Sequence, residues 1–349
     1  MENKKIKKIF LFLALIFFLY LFIFSLVLIK SSLSEFGQEV LKVTRDEIKP
    51  INAFGFGWLL TLIMQSSGAA TSTLIVLNST GLIGMSLLVF MVIGTRIGTV
   101  ITSLFVAFFI SGKRRDFRHG FEIGLINLVY AFPIAIIMFA GEYFFKFFSN
   151  TGNYFISLGI PFKLNFIEII TLPLINFISF LPKIILIILG ILFLLISLKK
   201  LPKTILGLWG EDYLKKKINK QLGSKWKSFL MGFLITATLM STSITITLLI
   251  PIVVMRLVNL KKVIPYIIGA NLGGISDAVL GGLIIGKSSL PAIFTYVSFS
   301  IIGLLWLFNT NLLFKITKHI SKKTLHISKN RALLFILIFV LLALILTFI

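Results

Sequence analysis

Two stretches of this chain are copies of one element. The first contains MQSSGAATSTL (64–74) and then GTRIGT (94–99); the second contains LMSTSITITLL (239–249) and then GANLGG (269–274). Gly57 and Gly232, Ser66 and Ser241, Gly94 and Gly269, and Gly98 and Gly273 each stand 175 positions apart, without a gap. In both copies glycine and hydroxyl residues interrupt runs apolar enough to enter a bilayer. Non-helical backbone at membrane depth is tolerated only where protein buries it or where it lines a cavity. The chain must therefore fold so that both interruptions lie inside it.

Composition agrees with a bilayer as solvent. Of 349 residues 57% are hydrophobic and 13% charged, against about 25% charged in a soluble domain. The expected class is an all-α, polytopic integral membrane protein. A net charge of +23 could suggest nucleic acid, but the basic residues fall in short loops between apolar runs. That is the positive-inside distribution, and it needs no polyanionic partner. The absence of cysteine excludes disulfides and thiolate metal sites. His119, His319 and His326 stand in or beside basic loops without metal-site spacing. No Walker loop or dinucleotide fingerprint occurs, so neither an enzyme nor a bound cofactor is expected.

Basic residues set the sides. Lys4, Lys5, Lys7 and Lys8 place the N-terminus in the cytoplasm, followed by a retained transmembrane helix at 9–29. Lys113, Arg114, Arg115 and Arg118 mark an inside loop, as do the lysines of 199–227 and Lys315 to Arg331. Between the outside loop 30–52 and Lys113 lie two apolar stretches, 54–77 and 83–111. Two full crossings would leave Lys113 on the wrong side, so one stretch must turn back. The polar cluster at Gln65–Gly68 divides 54–77 into halves of about 12 residues, roughly 18 Å of helix, against about 15 Å for half a bilayer. A re-entrant hairpin entering from outside is expected there. The second hairpin, about 229–251, begins after a basic inside segment and returns toward Arg256, Lys261 and Lys262, so it enters from the cytoplasm.

The two copies are thus read as inverted repeats, each with a re-entrant helical hairpin and a broken transmembrane helix. The organisation expected is a single transmembrane domain over 1–349. It comprises repeats at 53–148 and 228–312, connecting helices and a basic cytoplasmic segment at 149–227, and a last helix at 331–349. The path of 155–198 stays open. The location is the inner (cytoplasmic) membrane.

A half-helix that starts at mid-membrane presents unpaired N–H groups and the positive end of its dipole. Two such tips suit an anion, and hydroxyls at the tips can donate to it. Ser66, Ser67, Thr71 and Ser72 supply them in the first copy, with the amide of Gln65. Ser241, Thr242, Ser243 and Thr245 supply them in the second. The same small residues also let helices pack closely in lipid. Arg96 lies within a span, where a cation faces a cavity or a partner; it could hold an anionic substrate or pair with Asp277. Asn271, its counterpart, could offer a carbonyl to a cation. Asp277 is read as a Na+ or H+ coupling residue in preference to a buried ion pair. Glu122, Glu142 and Glu168 are read as interfacial.

QSSGAATSTL beside GTRIGT, repeated as MSTSITITLL beside GANLGG, resembles the sodium/phosphate cotransporter family. Its two inverted repeats each carry a QSSS-type and a GANIGT-type motif. The resemblance covers roughly 53–110 and 228–286. It implies Na+-coupled movement of inorganic phosphate through the lipid bilayer, the substrate held between the hairpin tips. Phosphate contacts would fall on Gln65, Ser66, Ser67, Ser241, Thr242 and Ser243, with Arg96 added by the reading above. Na+ contacts would fall on Asn271 and neighbouring hydroxyls, Thr71 and Thr99, with Asp277; no other metal is implied. Met240 stands where the second motif would have Gln, Gly68 replaces a serine, and Arg96 stands where the first break would have Asn. No PhoU-like domain is expected at the C-terminus, and homo-oligomerisation stays open. The alternatives are a carrier of another small anion, proton-coupled or exporting, and a non-transporting membrane scaffold of the same fold.

Overall fold

The computed structural model describes residues 2–44, 48–110, 114–159, 166–254, 258–325 and 329–349, and every regular element among them is helical. Lys113, Arg256 and His326 lie outside the described residues. Among the described residues, seven helices are long and apolar enough to cross a membrane. The protein is an all-α polytopic membrane protein.

Helix α1 (Glu2–Thr44) is unbroken and runs beyond the expected 9–29. Its apolar part, Ile6–Ser32, is long enough to cross. The first copy then forms α2 (Pro50–Met64), α3 (Ser67–Ser79), α4 (Met85–Gly98) and α5 (Val100–Ile110). A long helix α6 (Arg114–Phe145) and the short α7 (Phe147–Ser157) follow. Next come α8 (Phe166–Ile178), α9 (Lys183–Trp209) and α10 (Glu211–Gln221). Of these α9 has the length and polarity of a crossing, while residues 160–165 of the region left open by sequence lie outside the described residues. The second copy forms α11 (Lys225–Leu239), α12 (Thr242–Thr247), α13 (Leu249–Val254), α14 (Leu260–Gly273) and α15 (Ile275–Ile285). The chain continues through α16 (Leu290–Gly303), α17 (Leu305–Phe308), α18 (Thr310–Leu325) and α19 (Lys329–Phe348).

Glycine decides how each copy packs. A methyl on Gly57 would overlap the carbonyl of Met91, and one on Gly94 would overlap the carbonyl of Phe54. One on Gly98 would meet Trp58 and Thr61. These contacts advance together along both helices, so α2 and α4 run parallel with their backbones touching. Small residues permit such close approach where lipid gives helices no hydrophobic reason to associate. Only residues 80–84 join α3 to α4, too few to recross the length of α2. Helix α3 therefore folds back antiparallel to both, and α2–α3 is a helical hairpin.

The second copy repeats these contacts at the offset of 175. Gly232 meets the carbonyl of Tyr266, Gly269 that of Phe229, and Gly273 meets Phe233 and Thr236. The return arm differs, because it is interrupted between α12 and α13. Pro251 has no N–H to offer the carbonyl of Thr247, which leaves the helical ladder incomplete there.

The second interruption in each copy is milder than expected. Thr99 (φ −57°, ψ −27°) and Gly274 (φ −64°, ψ −7°) both keep right-handed helical backbone, so the chain kinks between α4 and α5 and between α14 and α15 without unwinding. Gly94, Gly98, Gly269 and Gly273 serve close packing rather than chain reversal. Burial ranks the spans: 89% of the best window of Met85–Phe108 is buried, against 22% for Asn330–Phe348 and 29% for Lys183–Trp209. The kinked helices and hairpins thus form the centre, while α1, α9 and α19 carry the exposed apolar side chains that fit lipid.

Two acidic residues read as interfacial are buried and hydrogen-bonded, Glu142 through one carboxylate oxygen only. Glu122 on α6 receives Lys318 Nζ at 2.8 Å, Ser321 Oγ at 2.7 Å and Arg118 Nε at 3.4 Å, tying α6 to α18. Glu142 caps α7, its Oε2 accepting from the N–H groups of Phe148 (2.9 Å) and Ser149 (3.1 Å). Nothing is described of the Glu168 side chain.

Candidate functional site

Each hairpin reverses through two residues. Gln65 (φ 54°, ψ 23°) closes α2 in the left-handed region, and Met240 (φ 50°, ψ 37°) closes α11 in the same way. Their N–H groups bond back to the carbonyls of Thr61 (2.8 Å) and Thr236 (2.7 Å), as left-handed helix ends do. The following serine is extended and caps the returning helix. Ser66 Oγ accepts from the N–H of Ala69 at 3.2 Å, and Ser241 Oγ from that of Ile244 at 3.3 Å. A capping oxygen used as acceptor keeps its own O–H free to donate. The two tips therefore present the same donor in the same local geometry.

The buried polar groups of the two copies meet through Arg96. Its guanidinium is 3% exposed and lies against Asn271, the residue 175 positions on: Nη2 donates to the Asn271 backbone oxygen and to its Oδ1, both at 3.3 Å. Ser300 Oγ accepts from the same nitrogen at 3.5 Å. The rings of Tyr296 and Phe299 lie under the guanidinium, 4.2 and 5.0 Å from Cζ to each centroid. Tyr296 in turn shares a hydrogen bond of 3.1 Å with Ser67 Oγ at the first tip. Arg96 Nε and Nη1 have no partner. Leaving such donors buried and unmatched is costly.

The remaining residues singled out from sequence are placed as follows. Ser67, Thr242 and Ser243 are buried, and Thr242 Oγ1 has no partner beside Gly274. Ser66 and Ser241 are half-buried, and Gln65 is exposed with its amide outside this cluster. Thr71 Oγ1 lies 3.3 Å from Thr95 Oγ1, and Thr99 Oγ1 donates to the Thr95 carbonyl at 3.0 Å. Asn271 Nδ2 donates to Asn127 Oδ1 at 2.9 Å and to the Ile267 carbonyl at 3.0 Å. Its carbonyl oxygen thus faces a cation already, the guanidinium of Arg96. Asp277 forms no ion pair with Arg96; its carboxyl lies against Gly68, with Oδ1 unpartnered. Thr71 and Thr99 gather at Thr95, apart from the contacts of Asn271 and of Asp277.

Sequence reading missed Tyr296, Phe299, Ser300 and Asn127, which shape the setting of Arg96. The counterparts of Tyr296 and Ser300 at the same offset are Phe121 and Leu125, so the duplication could not point to them. Their one signal was polarity within apolar runs.

Similarity to known proteins agrees with this architecture. The sequence model of the Na+/Pi-cotransporter family matches residues 21–168 and 192–346, one stretch around each hairpin. The chain belongs to the Na+/Pi-cotransporter family. Among relatives, the sodium-dependent phosphate transport protein 2A of Oryctolagus cuniculus is 35% identical over 108 residues, 30% of this chain. The Rattus norvegicus protein of the same name is 34% identical over the same length. These alignments span only 17% of each relative. An uncharacterized protein, YqeW, of Bacillus subtilis is 24% identical over 254 residues, 73% of this chain and 67% of its own. No solved structure matches the chain. The Na+/Pi-cotransporter family is one of transporters rather than enzymes.

Proposed function

We propose that this protein is a secondary transporter that carries inorganic phosphate across the cytoplasmic membrane with Na+, holding the anion between the two hairpin tips. The observation that carries the reading is Arg96, whose buried guanidinium leaves Nε and Nη1 unpartnered over the ring of Tyr296, itself bonded to Ser67 of the first tip. A planar fork with two free donors suits a tetrahedral oxyanion, which accepts bidentate hydrogen bonds. Serine hydroxyls of Ser66, Ser67, Ser241 and Ser243 and the free hydroxyl of Thr242 supply further donors. Family membership supports transport as the class, and the names of the mammalian relatives support phosphate and sodium.

The two copies are inverted across the bilayer in this reading. Contact between Arg96 and Asn271, residues at equivalent positions, is what a two-fold relation between the copies would produce. The charge pattern supports opposite entry of the hairpins, with the N-terminus cytoplasmic. Alternating access then rocks one copy against the other around the fixed anion.

Arg96 also links anion to cation. While it holds the Asn271 oxygens its own charge excludes a second cation; once it turns to phosphate they become free to coordinate Na+. Thr71 and Thr99, gathered at Thr95, offer hydroxyl oxygens for a further Na+. Uptake of radiolabelled phosphate into proteoliposomes tests the reading, and should require an inward Na+ gradient. Arg96, Gly68 and Met240 depart from the family motifs, and these departures favour a second reading, another small oxyanion as cargo. Flux of sulfate in place of phosphate would select it. No flux with any anion would leave a non-transporting scaffold.

A further inference from the structure

The two hairpin tips are not equivalent in charge. Gly68 and Asp277 have as counterparts, 175 positions away, Ser243 and Thr102. A methyl on Gly68 would fall inside the carboxyl group of Asp277. At the first tip, the space of the serine side chain kept by the second copy is thus filled by a carboxyl reaching across from another helix. The same helix pair continues one turn on, where Gly281 lies against Ser72 Oγ. Helices α3 and α15 therefore run parallel here, and both begin beside this contact. Asp277 is in the first turn of α15 and Gly68 in that of α3. The carboxyl lies at the positive ends of two helices, 3% exposed, and its Oδ1 has no partner. The residue equivalent to Asp277 by offset is Thr102, a neutral hydroxyl on α5, a helix that packs against α12 of the second tip.

A phosphate approaching the first tip would meet this carboxylate as a like charge. Both seek the same donors: the free N–H groups of the first turn of α3 and the positive ends of the two helices. We propose that Asp277 is a built-in anion of the first tip, and that a monovalent cation, H+ or Na+, must neutralise it before phosphate binds there. A proton would bond to Oδ1; Na+ would be coordinated by it. The charge carried with each phosphate then includes one cation held by Asp277, and none by Thr102. The charged and titratable groups turned toward Asp277 are Arg96 of α4 and Tyr296 of α16. Helix α3 contributes none. Lys30 of α1 donates to the Ile285 carbonyl, at the far end of α15, at 3.2 Å, and Lys287 follows that end.

This inference rests on reading the tips as the phosphate site, and the experiment separates the two. Equilibrium binding of radiolabelled phosphate to the purified full-length protein is measured against Na+ at fixed pH. It is then measured against pH without Na+. Variants are compared with wild type at each pH, so that titration of phosphate itself cancels. Wild type should gain affinity with one of the two cations, by about 5- to 150-fold, the usual range of coupling between sites. The responding arm names the cation. Asp277→Asn should bind phosphate with that dependence lost. Gly68→Ser with Asp277→Thr rebuilds the pairing of the second tip, and should also bind phosphate without it; this variant carries the test if Asp277→Asn does not fold. Wild-type cation dependence in either folded variant overturns the role of Asp277 and leaves the phosphate site standing. No phosphate binding by wild type removes both.

Discussion

Arg96 shows how one residue can be legible in sequence while its protein partners are not. A cation inside an apolar run announces itself, and its two expected partners were a substrate or Asp277. The structure supplies a different holder, the Asn271 carbonyls with an aromatic floor. On the proposed account Arg96→Ala removes charge-assisted hydrogen bonds of about 1.5–3 kcal/mol, weakening phosphate binding about 10- to 150-fold. Arg96→Lys should recover only part of this in calorimetric titration, because a point charge cannot replace a planar fork. Asn271→Asp should act in the opposite sense on stability. It would fix Arg96 in an ion pair, raising the melting temperature while weakening phosphate binding; stronger binding would contradict the switch role of Arg96. Gln65 is the left-handed end of α2 and is exposed.

At the scale of elements, both hairpin reversals were readable from the placement of lysine and arginine and from the mid-segment polar clusters, which contain the caps that restart each helix, Ser66 and Ser241. The left-handed residues just before them were not readable, because neither Gln65 nor Met240 is the glycine that usually marks such a position. The glycines of GTRIGT and GANLGG signalled broken helices, and regular helix is interrupted there, at Thr99 and Gly274. They serve also as the faces on which α2 and α11 lie. Gly94→Ala and Gly269→Ala make the same overlap, with the carbonyls of Phe54 and Phe229. Each should destabilise the protein by a similar amount, about 1–3 kcal/mol for an overpacked contact against backbone. Thermal unfolding in detergent checks this. A large loss at one position with none at the other would show that the two copies do not share their packing.

For the whole molecule, class followed from composition, and the sides expected for the loops from the placement of lysine and arginine. The connection through α8 and α9 did not, because three prolines in 155–198 allow several paths and only tertiary contacts choose among them. Orientation can be tested directly, since the chain contains no cysteine. Gly84, exposed with open space about it, follows the first hairpin; Lys261, also exposed, follows the second. With inverted copies, Gly84→Cys should react with a membrane-impermeant maleimide in intact cells, and Lys261→Cys only after permeabilisation. Labelling of both from one side would end the inverted arrangement.

The central claim is that both tips hold one anion. Equilibrium phosphate binding across wild type, Ser66→Ala, Ser241→Ala and the double variant measures it most directly. Each single change should weaken binding, and the double change should abolish it, with an effect that is not the sum of the two, because the serines share one ligand. Unchanged phosphate affinity in the double variant would contradict the account.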